Sequence, residues 1–261
     1  MTEDNSSKKD LIASNFSRSA RSYDSHSSIQ KQCARMLADL IGHGEHRRIL
    51  EVGCGTGSFT GMLVDKWDGA DVMAVDISGD MIEVARERVN NGRVEFRLAD
   101  AETLETDSDL DLITSNASFQ WFENLDRTFG IFHKKLKPGG VLCFSMYGPE
   151  TFRELKSVLA SHYGARRWLS SSRFIPRDTL ESMVGRHFGN VEMREEHFTE
   201  CFESLMDLLQ EIKHSGTRGE GLGGSVFLGK YAVAEMERNY LQEFGGIIAT
   251  HHVYFCRAEK R

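Results

Sequence analysis

Residues 49–59 read ILEVGCGTGSF, and this stretch decides the fold. Ile49, Leu50 and Val52 bracket Glu51 in a run with strand character, and Gly53, Gly55 and Gly57 then alternate into a segment with helical character. A strand that feeds a glycine loop and then a helix opens a β-α-β unit. The rhythm continues downstream. Strands are expected over Arg48–Val52, Asp71–Val75, Val94–Leu98, Leu110–Ser115 and Val141–Met146, with helices near 58–67, 79–90 and 123–136. Lys137–Gly140, KPGG, reads as a turn before the fifth strand. Parallel neighbours need such long crossovers, so the expected fold class is α/β with a doubly wound, mostly parallel sheet. Upstream, apolar residues recur at helical spacing from Ser28 to Ile41 and stop at Gly42, whereas residues 1–15 are polar and read as a frayed end. After Gly148 the rhythm breaks. Helical segments near 150–162, 177–186, 203–213 and 227–244 accompany strand candidates at 190–195 and 248–257. The organisation expected is one domain: an arm and helix at 1–47, a ligand-binding core at 48–148, a helical cap with the sixth strand at 149–247, and a final strand at 248–261.

Composition sets the bounds. The 261 residues are 40% apolar and 27% charged, ample for a packed core. A net charge of −7 argues against nucleic acid as a general partner. No run approaches the ~20 apolar residues that span a bilayer, and the start MTEDNSSKKD lacks the apolar stretch of a signal peptide, so no membrane partner is expected. The five cysteines are scattered with no C-x-x-C pair, which reads as free thiols in a reducing cytoplasm and no metal site.

Ligands of open α/β sheets bind at the carboxyl ends of the strands, where this glycine loop sits. Asp76 follows Gly57 by nineteen residues, at the end of the next strand, where an acid accepts ribose hydroxyls. Asp100 in LADAE ends the third strand, placed for an exocyclic amine of adenine. No Gly-Lys-Ser/Thr follows the loop, which argues against a nucleotide triphosphatase. Glu51 repels phosphates but suits an ammonium group. An adenosine carrying something other than phosphates fits this set.

In their order, EVGCGTG, AVDIS, ADAE, SN and LKPGG over 48–146 resemble the class I S-adenosylmethionine-dependent methyltransferases. The resemblance implies a Rossmann-like, seven-stranded sheet with a late helical cap, and S-adenosylmethionine as cofactor. It implies that Glu51 and the Gly53, Gly55 and Gly57 backbone surround the methionine portion, that Asp76 holds the ribose, and that Asp100 and Ala101 meet the adenine. Ile77 and Met81 then flank the adenine, although Met81 reads equally as helix core. Asn116, in the SN motif, joins the cofactor set.

The flanking segments carry the acceptor. FSRSARSYDSH (16–26), SNASFQWF (115–122), GPETFRELK (148–156), SRFIP (172–176) and EIKHSG (211–216) are similar to the malonyl-acyl carrier protein O-methyltransferases of biotin synthesis. THHVYF (250–255) departs from that pattern near the first histidine, which leaves the role of His251 open. The NASFQW segment alone also resembles trans-aconitate methyltransferases. A carboxylate acceptor is already ionised near pH 7 and needs no general base. Catalysis is then positioning in a dry pocket. Phe119, Trp121 and Phe122 are its expected walls, or else ordinary core aromatics. Gln120 orients the substrate or faces solvent. Tyr23 closes over the methyl donor or anchors the arm, and His26 reads as a surface residue at a helix start. Arg173 is the expected partner of the substrate carboxylate, with Lys213 and Arg21 as rivals and solvated surface charge as the plain alternative. Between Thr151 and Arg177 lie Arg153, Lys156, Arg166, Arg167, Arg173 and Arg177 against the single acid Glu154. Such a segment suits docking of an acidic acyl carrier protein at Arg166 and Arg167, or is a solvated face. Three activities follow: methylation of a malonyl thioester on a carrier protein, methylation of a free small carboxylate, or nonenzymatic S-adenosylmethionine binding. Oligomeric state stays undecided.

Overall fold

The computed structural model describes residues 8–106, 108–164, 169–214 and 229–261. Seven strands form one sheet: β1 (Arg48–Val52), β2 (Asp71–Asp76), β3 (Val94–Leu98), β4 (Leu110–Asn116), β5 (Leu136–Tyr147), β6 (Gly189–Phe202) and β7 (Ile247–Glu259). Their order is β3-β2-β1-β4-β5-β7-β6. β1 to β5 run parallel, while β7 lies antiparallel between β5 and β6. The topology reverses between β1 and β4, so the loops after those strands open a crevice at the carboxyl edge.

Helices cover both faces because the central strands are apolar on both. Among the described helices, α1 (Lys8–Ser19), α2 (Ser28–Ile41), α3 (Ser58–Lys66) and α4 (Gly79–Arg88) contribute Ile12, Leu37, Leu63 and Ile82 to one core. On the opposite face, α5 (Leu125–Lys135) and α7 (Arg177–His187) supply Phe129, Phe132, Leu180 and Val184. α2 buries Ile29, Cys33, Leu37 and Ile41, a four-residue repeat that makes one stripe. A third core joins α6 (Arg153–Tyr163), α8 (Leu205–His214) and α9 (Lys230–Phe244) to the start of β7 through Leu155, Leu208, Met236 and Ala249. No helix among the described residues is long and apolar enough to cross a membrane.

Three local expectations need correction. Residues 8–15 are not frayed but lie in α1, because Ile12 is buried against the sheet and Lys9 is held by acids of the opposite loop. KPGG is annexed to β5: Leu136 pairs with Leu110, and Gly139 and Gly140 exchange hydrogen bonds with Lys260. β6 runs to Phe202, well past residue 195. It is an edge strand whose charged side chains alternate outward, so it shows little apolar signal.

Candidate active site

The loop after β1 is closed by its own hydrogen bonds. The amides of Gly53 and Cys54 reach the Val75 carbonyl at 2.8 and 3.0 Å, and Gly57 N reaches Cys54 O at 3.0 Å. All three glycines have positive φ, but they meet different neighbours. A Cβ on Gly53 would stand 2.5 Å from Ser118, and one on Gly57 would stand 3.1 Å from Ala85. A Cβ on Gly55 would meet nothing within 4 Å. Two of the glycines therefore let the chain pack on itself, and Gly55 leaves room for a ligand.

Above the loop lies a cavity of about 750 Å³ including its open mouth, within the ~300–1,000 Å³ of small-molecule pockets. It gathers residues expected from the sequence: Tyr23, Gly53, Gly55, Asp76, Ile77, Met81, Asp100, Ala101, Asn116 and Trp121. Sequence reading missed Lys9 and Ile12 of the arm and Ala117 and Ser118 of the loop after β4. Lys9 sits in a polar run with no motif to single it out. Ala117 holds φ at 55°, uncommon for a residue with a Cβ, and its amide donates to Ser145 Oγ at 3.0 Å.

The acids differ in their states. Asp76 Oδ2 accepts from Gly55 N and Oδ1 from Ser78 N, both at 2.9 Å. Burial raises its carboxyl despite those bonds. Each oxygen keeps a lone pair for a hydroxyl. Asp100 Oδ1 accepts from Glu102 N at 2.9 Å, while Lys9 Nζ stands 2.5 Å from both Asp100 Oδ2 and Glu102 Oε2. Burial opposes the Lys9 ammonium, yet the two carboxylates more than offset it. Thus α1 is latched over the β3 end of the cavity. Asp24 pins the arm on the other side by accepting from Thr56 Oγ1 at 2.9 Å and pairing with Arg88.

Glu51 lines a second, smaller cavity behind the loop, which shares Tyr23, Gly53, Gly55 and Asn116 with the first. Its side chain is buried and Oε2 has no hydrogen-bond partner. Burial, with the charge of Asp76 adding, pushes its carboxyl up to about 8. An orphaned buried carboxyl beside a cavity is what a ligand cation completes. Asn116 is fixed between the two spaces, its Nδ2 donating to Gln30 O at 3.0 Å and its Oδ1 accepting from Ser145 Oγ at 2.7 Å.

On the acceptor side, several expectations fail. Trp121 and Phe122 line the cavity, but Phe119 turns into the opposite core against Phe129 and Phe144 at 5.9 and 5.0 Å. Phe119 and Trp121 stand two apart on a 3-10 turn and so leave it on different faces. Gln120 lines neither cavity; its Nε2 donates to Ala117 O at 2.6 Å and ties the loop down. Trp121 meets Phe16 and Phe174 edge-on at 6.3 and 5.6 Å, so the arm and the SRFIP segment brace it. Arg173, beside Phe174, is exposed and lines neither cavity, as is Lys213 on α8. Arg166 and Arg167 lie outside the described residues. Met81 is both core and wall, being 1% exposed while lining the cavity. Away from the cavities, Glu195, His197 and His252 each bring a ligand atom within 4.8 Å of the others. These groups are engaged by the protein, since Arg177 reaches Glu195 at 3.1 Å and Glu150 N reaches His252 Nδ1 at 3.2 Å.

The family described as "Methyltransferase domain" matches residues 49–140. Malonyl-acyl carrier protein O-methyltransferase of Acetivibrio thermocellus is 34% identical, covering 97% of this chain and 94% of its own. The Bacillus cytotoxicus protein of the same name is 33% identical, covering 97% and 92%. The chain belongs to the malonyl-acyl carrier protein O-methyltransferase family. Among solved structures, a putative methyltransferase from Bacillus halodurans shares the fold at TM-score 0.62 and 17% identity, covering 87% of this chain and 98% of its own. The Haemonchus contortus phosphoethanolamine N-methyltransferase 2, solved with S-adenosylmethionine, does so at TM-score 0.63 and 18% identity, covering 100% of this chain and 61% of its own. The fold is thus the class I methyltransferase fold that membership in this family implies. The site residues fit S-adenosylmethionine: Gly55 leaves an open cradle, and Glu51 presents an orphaned carboxyl for an ammonium group.

Proposed function

We propose that this protein is an S-adenosylmethionine-dependent carboxyl O-methyltransferase acting on the free carboxylate of a malonyl thioester carried by acyl carrier protein, in an early step of biotin synthesis. The observation that carries the chemistry is the lining of the main cavity. One end is acid-bearing, with Asp76 and Asp100; the other is aromatic, with Phe16, Tyr23, Trp121 and Phe122; and its described lining holds no histidine and no cysteine. An aromatic end without carboxylate, imidazole or thiol suits an acceptor that is already ionised.

The cofactor, when bound, supplies an electrophilic methyl on a sulfonium. Asp76 would take the ribose hydroxyls, and Ala101, Ile77 and Met81 would flank the adenine near Asp100. Glu51, with Oε2 unpartnered beside the smaller cavity, would hold the amino group. Asn116, tied to Gln30 and Ser145, holds the partition between the two spaces, and Tyr23 with Trp121 excludes water from the path of transfer. A carboxylate acceptor would bring its own negative charge to the methyl group, so none of these residues has to remove a proton. Burial holds the Tyr23 phenol far above its ordinary range, so it stays an O–H donor.

A free small acid held by a cation-rich pocket is less well supported. Lys9 is the cation among the described lining residues, and both nearby acids already hold it. Docking of the acidic carrier at the basic segment around Arg166 and Arg167 belongs to the proposal. It is supported by the sequence excess of cations there and by complementary charge as a steering force. The same reading places the protein in the cytoplasm, in keeping with five free cysteines, four of them buried. The test is transfer of labelled methyl from the cofactor to malonyl-carrier protein, malonyl-coenzyme A and free di- and tricarboxylic acids. Transfer to the carrier-bound thioester with the highest kcat/KM is expected. Preferential transfer to a free acid replaces the reading. Reversing Arg166 and Arg167 to Glu is expected to lower kcat/KM for the carrier-bound substrate at low salt and to spare a coenzyme A thioester.

A further inference from the structure

Tyr147 ends β5 and pairs with Val253 of β7, and His251 lies two residues from Val253. Side chains two apart on a strand leave the same face, so both rings leave the sheet on the face that α2 covers. The two rings stand 6.1 Å apart, and Phe152 closes on the histidine at 5.0 Å. Tyr147 is 1% exposed and His251 5%, yet Tyr147 Oη and His251 Nδ1 have no hydrogen-bond partner. His251 Nε2 lies 2.9 Å from Glu200 Oε2, off the line of a full hydrogen bond. Ser28, at the start of α2, holds that carboxylate from the other side. Buried polar atoms without partners are few in native proteins, and each calls for an explanation. Here two sit on neighbouring buried rings. Burial keeps the Tyr147 phenol protonated, and its ring belongs to the apolar cluster that also holds the cavity wall Trp121.

We infer that Tyr147 and His251 form the slot that recognises the free carboxylate of the acyl substrate, the phenol O–H and Nδ1–H donating to one carboxylate oxygen while the other faces the methyl donor past Tyr23. The inference rests on the function proposed above and deepens it. Two buried N–H and O–H donors take the place of Arg173 and Lys213, which are too exposed to hold the carboxylate at this site. Once the carboxylate is esterified, its charge is gone and the slot loses its hold, which favours release of the methyl ester.

The test compares wild type with Tyr147→Phe and His251→Gln on three readouts: KM for the malonyl thioester, inhibition by its methyl ester, and Kd for the cofactor. Each substitution is expected to raise KM by about 10-fold or more and to erase the wild-type preference for acid over methyl ester, with cofactor Kd within about twofold. A purely structural role for these rings would not change the acid-to-ester ratio. The contact is also read on the unsubstituted chain: an imidazole ¹⁵N resonance is expected to shift with the malonyl thioester and not with its methyl ester, even where a variant fails to fold. A wild-type chain that methylates no malonyl thioester overturns the functional reading and this inference with it. A wild-type chain that does so, with KM and the acid-to-ester ratio unchanged in either folded variant, or with no ¹⁵N shift, overturns this inference alone.

Discussion

The two ends of the cavity are built differently. The cofactor end comes from consecutive loops of parallel strands, where Gly55, Asp76 and Asp100 each sit at or just past the end of β1, β2 or β3. The aromatic end, the proposed acceptor side, is assembled from distant segments: Phe16 and Tyr23 of the arm, Trp121 after β4, and Phe174 between cap elements. One end is a property of local sequence; the other is a property of packing. The lesson is that a shared cofactor fixes a short-range pattern, whereas substrate choice is written in contacts between remote residues.

Five experiments can break or sharpen that contrast. The largest effect is expected at Asp76→Ala, which removes the acceptor of two backbone N–H bonds and the proposed partner of the ribose. Cofactor affinity is expected to fall about 100-fold, near 3 kcal/mol, by calorimetry. An unchanged Kd would falsify the assignment of the cofactor end.

Next are two glycines of one loop, expected to fail in different ways. Gly53→Ala drives a Cβ to 2.5 Å from Ser118, so its denaturation midpoint is expected to drop with a loss of about 2–3 kcal/mol. Gly55→Ala meets open space, so it is expected to cost about 1 kcal/mol of stability from its positive φ while weakening cofactor binding more than folding. Equal loss of stability in both variants counts against the division of roles.

Glu51 offers a pH test. Its carboxyl is raised to about 8 in the folded chain from about 4.5. Between those values the native state keeps a proton that the unfolded chain releases, so this group makes stability fall as pH rises from about 4.5 to about 8. Glu51→Gln is expected to remove that slope and to stabilise the ligand-free protein by on the order of 2 kcal/mol near pH 7, while weakening cofactor binding. Melting curves across pH with parallel slopes for both chains go against it.

Lys9→Ala tests the latch. Loss of a partly buried ion pair to two carboxylates is expected to cost about 1 kcal/mol and to speed cofactor-product release about fivefold in stopped flow, with the arm cleaved sooner by protease. Smallest of all, Lys213→Ala is expected to leave substrate KM within about twofold, because an exposed lysine outside both cavities has little to lose. A tenfold rise restores it to the acceptor end.

The uneven legibility of the site follows from these particulars. Asp76 and Asp100 were readable because strand ends project into the crevice wherever a parallel sheet reverses its winding. Phe119 and Trp121 were not separable, since only the 3-10 turn decides which aromatic faces the cavity and which the core. Lys9 carried no signal, because an ammonium in a polar arm becomes functional only when the arm folds back on Asp100 and Glu102.

By itself, the sequence determined the alternation of strands and helices, the direction of the sheet and the position of the cofactor loop. Each of these depends on periodicity and on backbone freedom within a few residues. Tertiary structure alone decided that α1 is a latch, that Arg173 and Lys213 stay at the surface, and that Tyr147 and His251 share one buried spot. These depend on which remote segments exclude water together, and burial between distant segments leaves no local pattern to read.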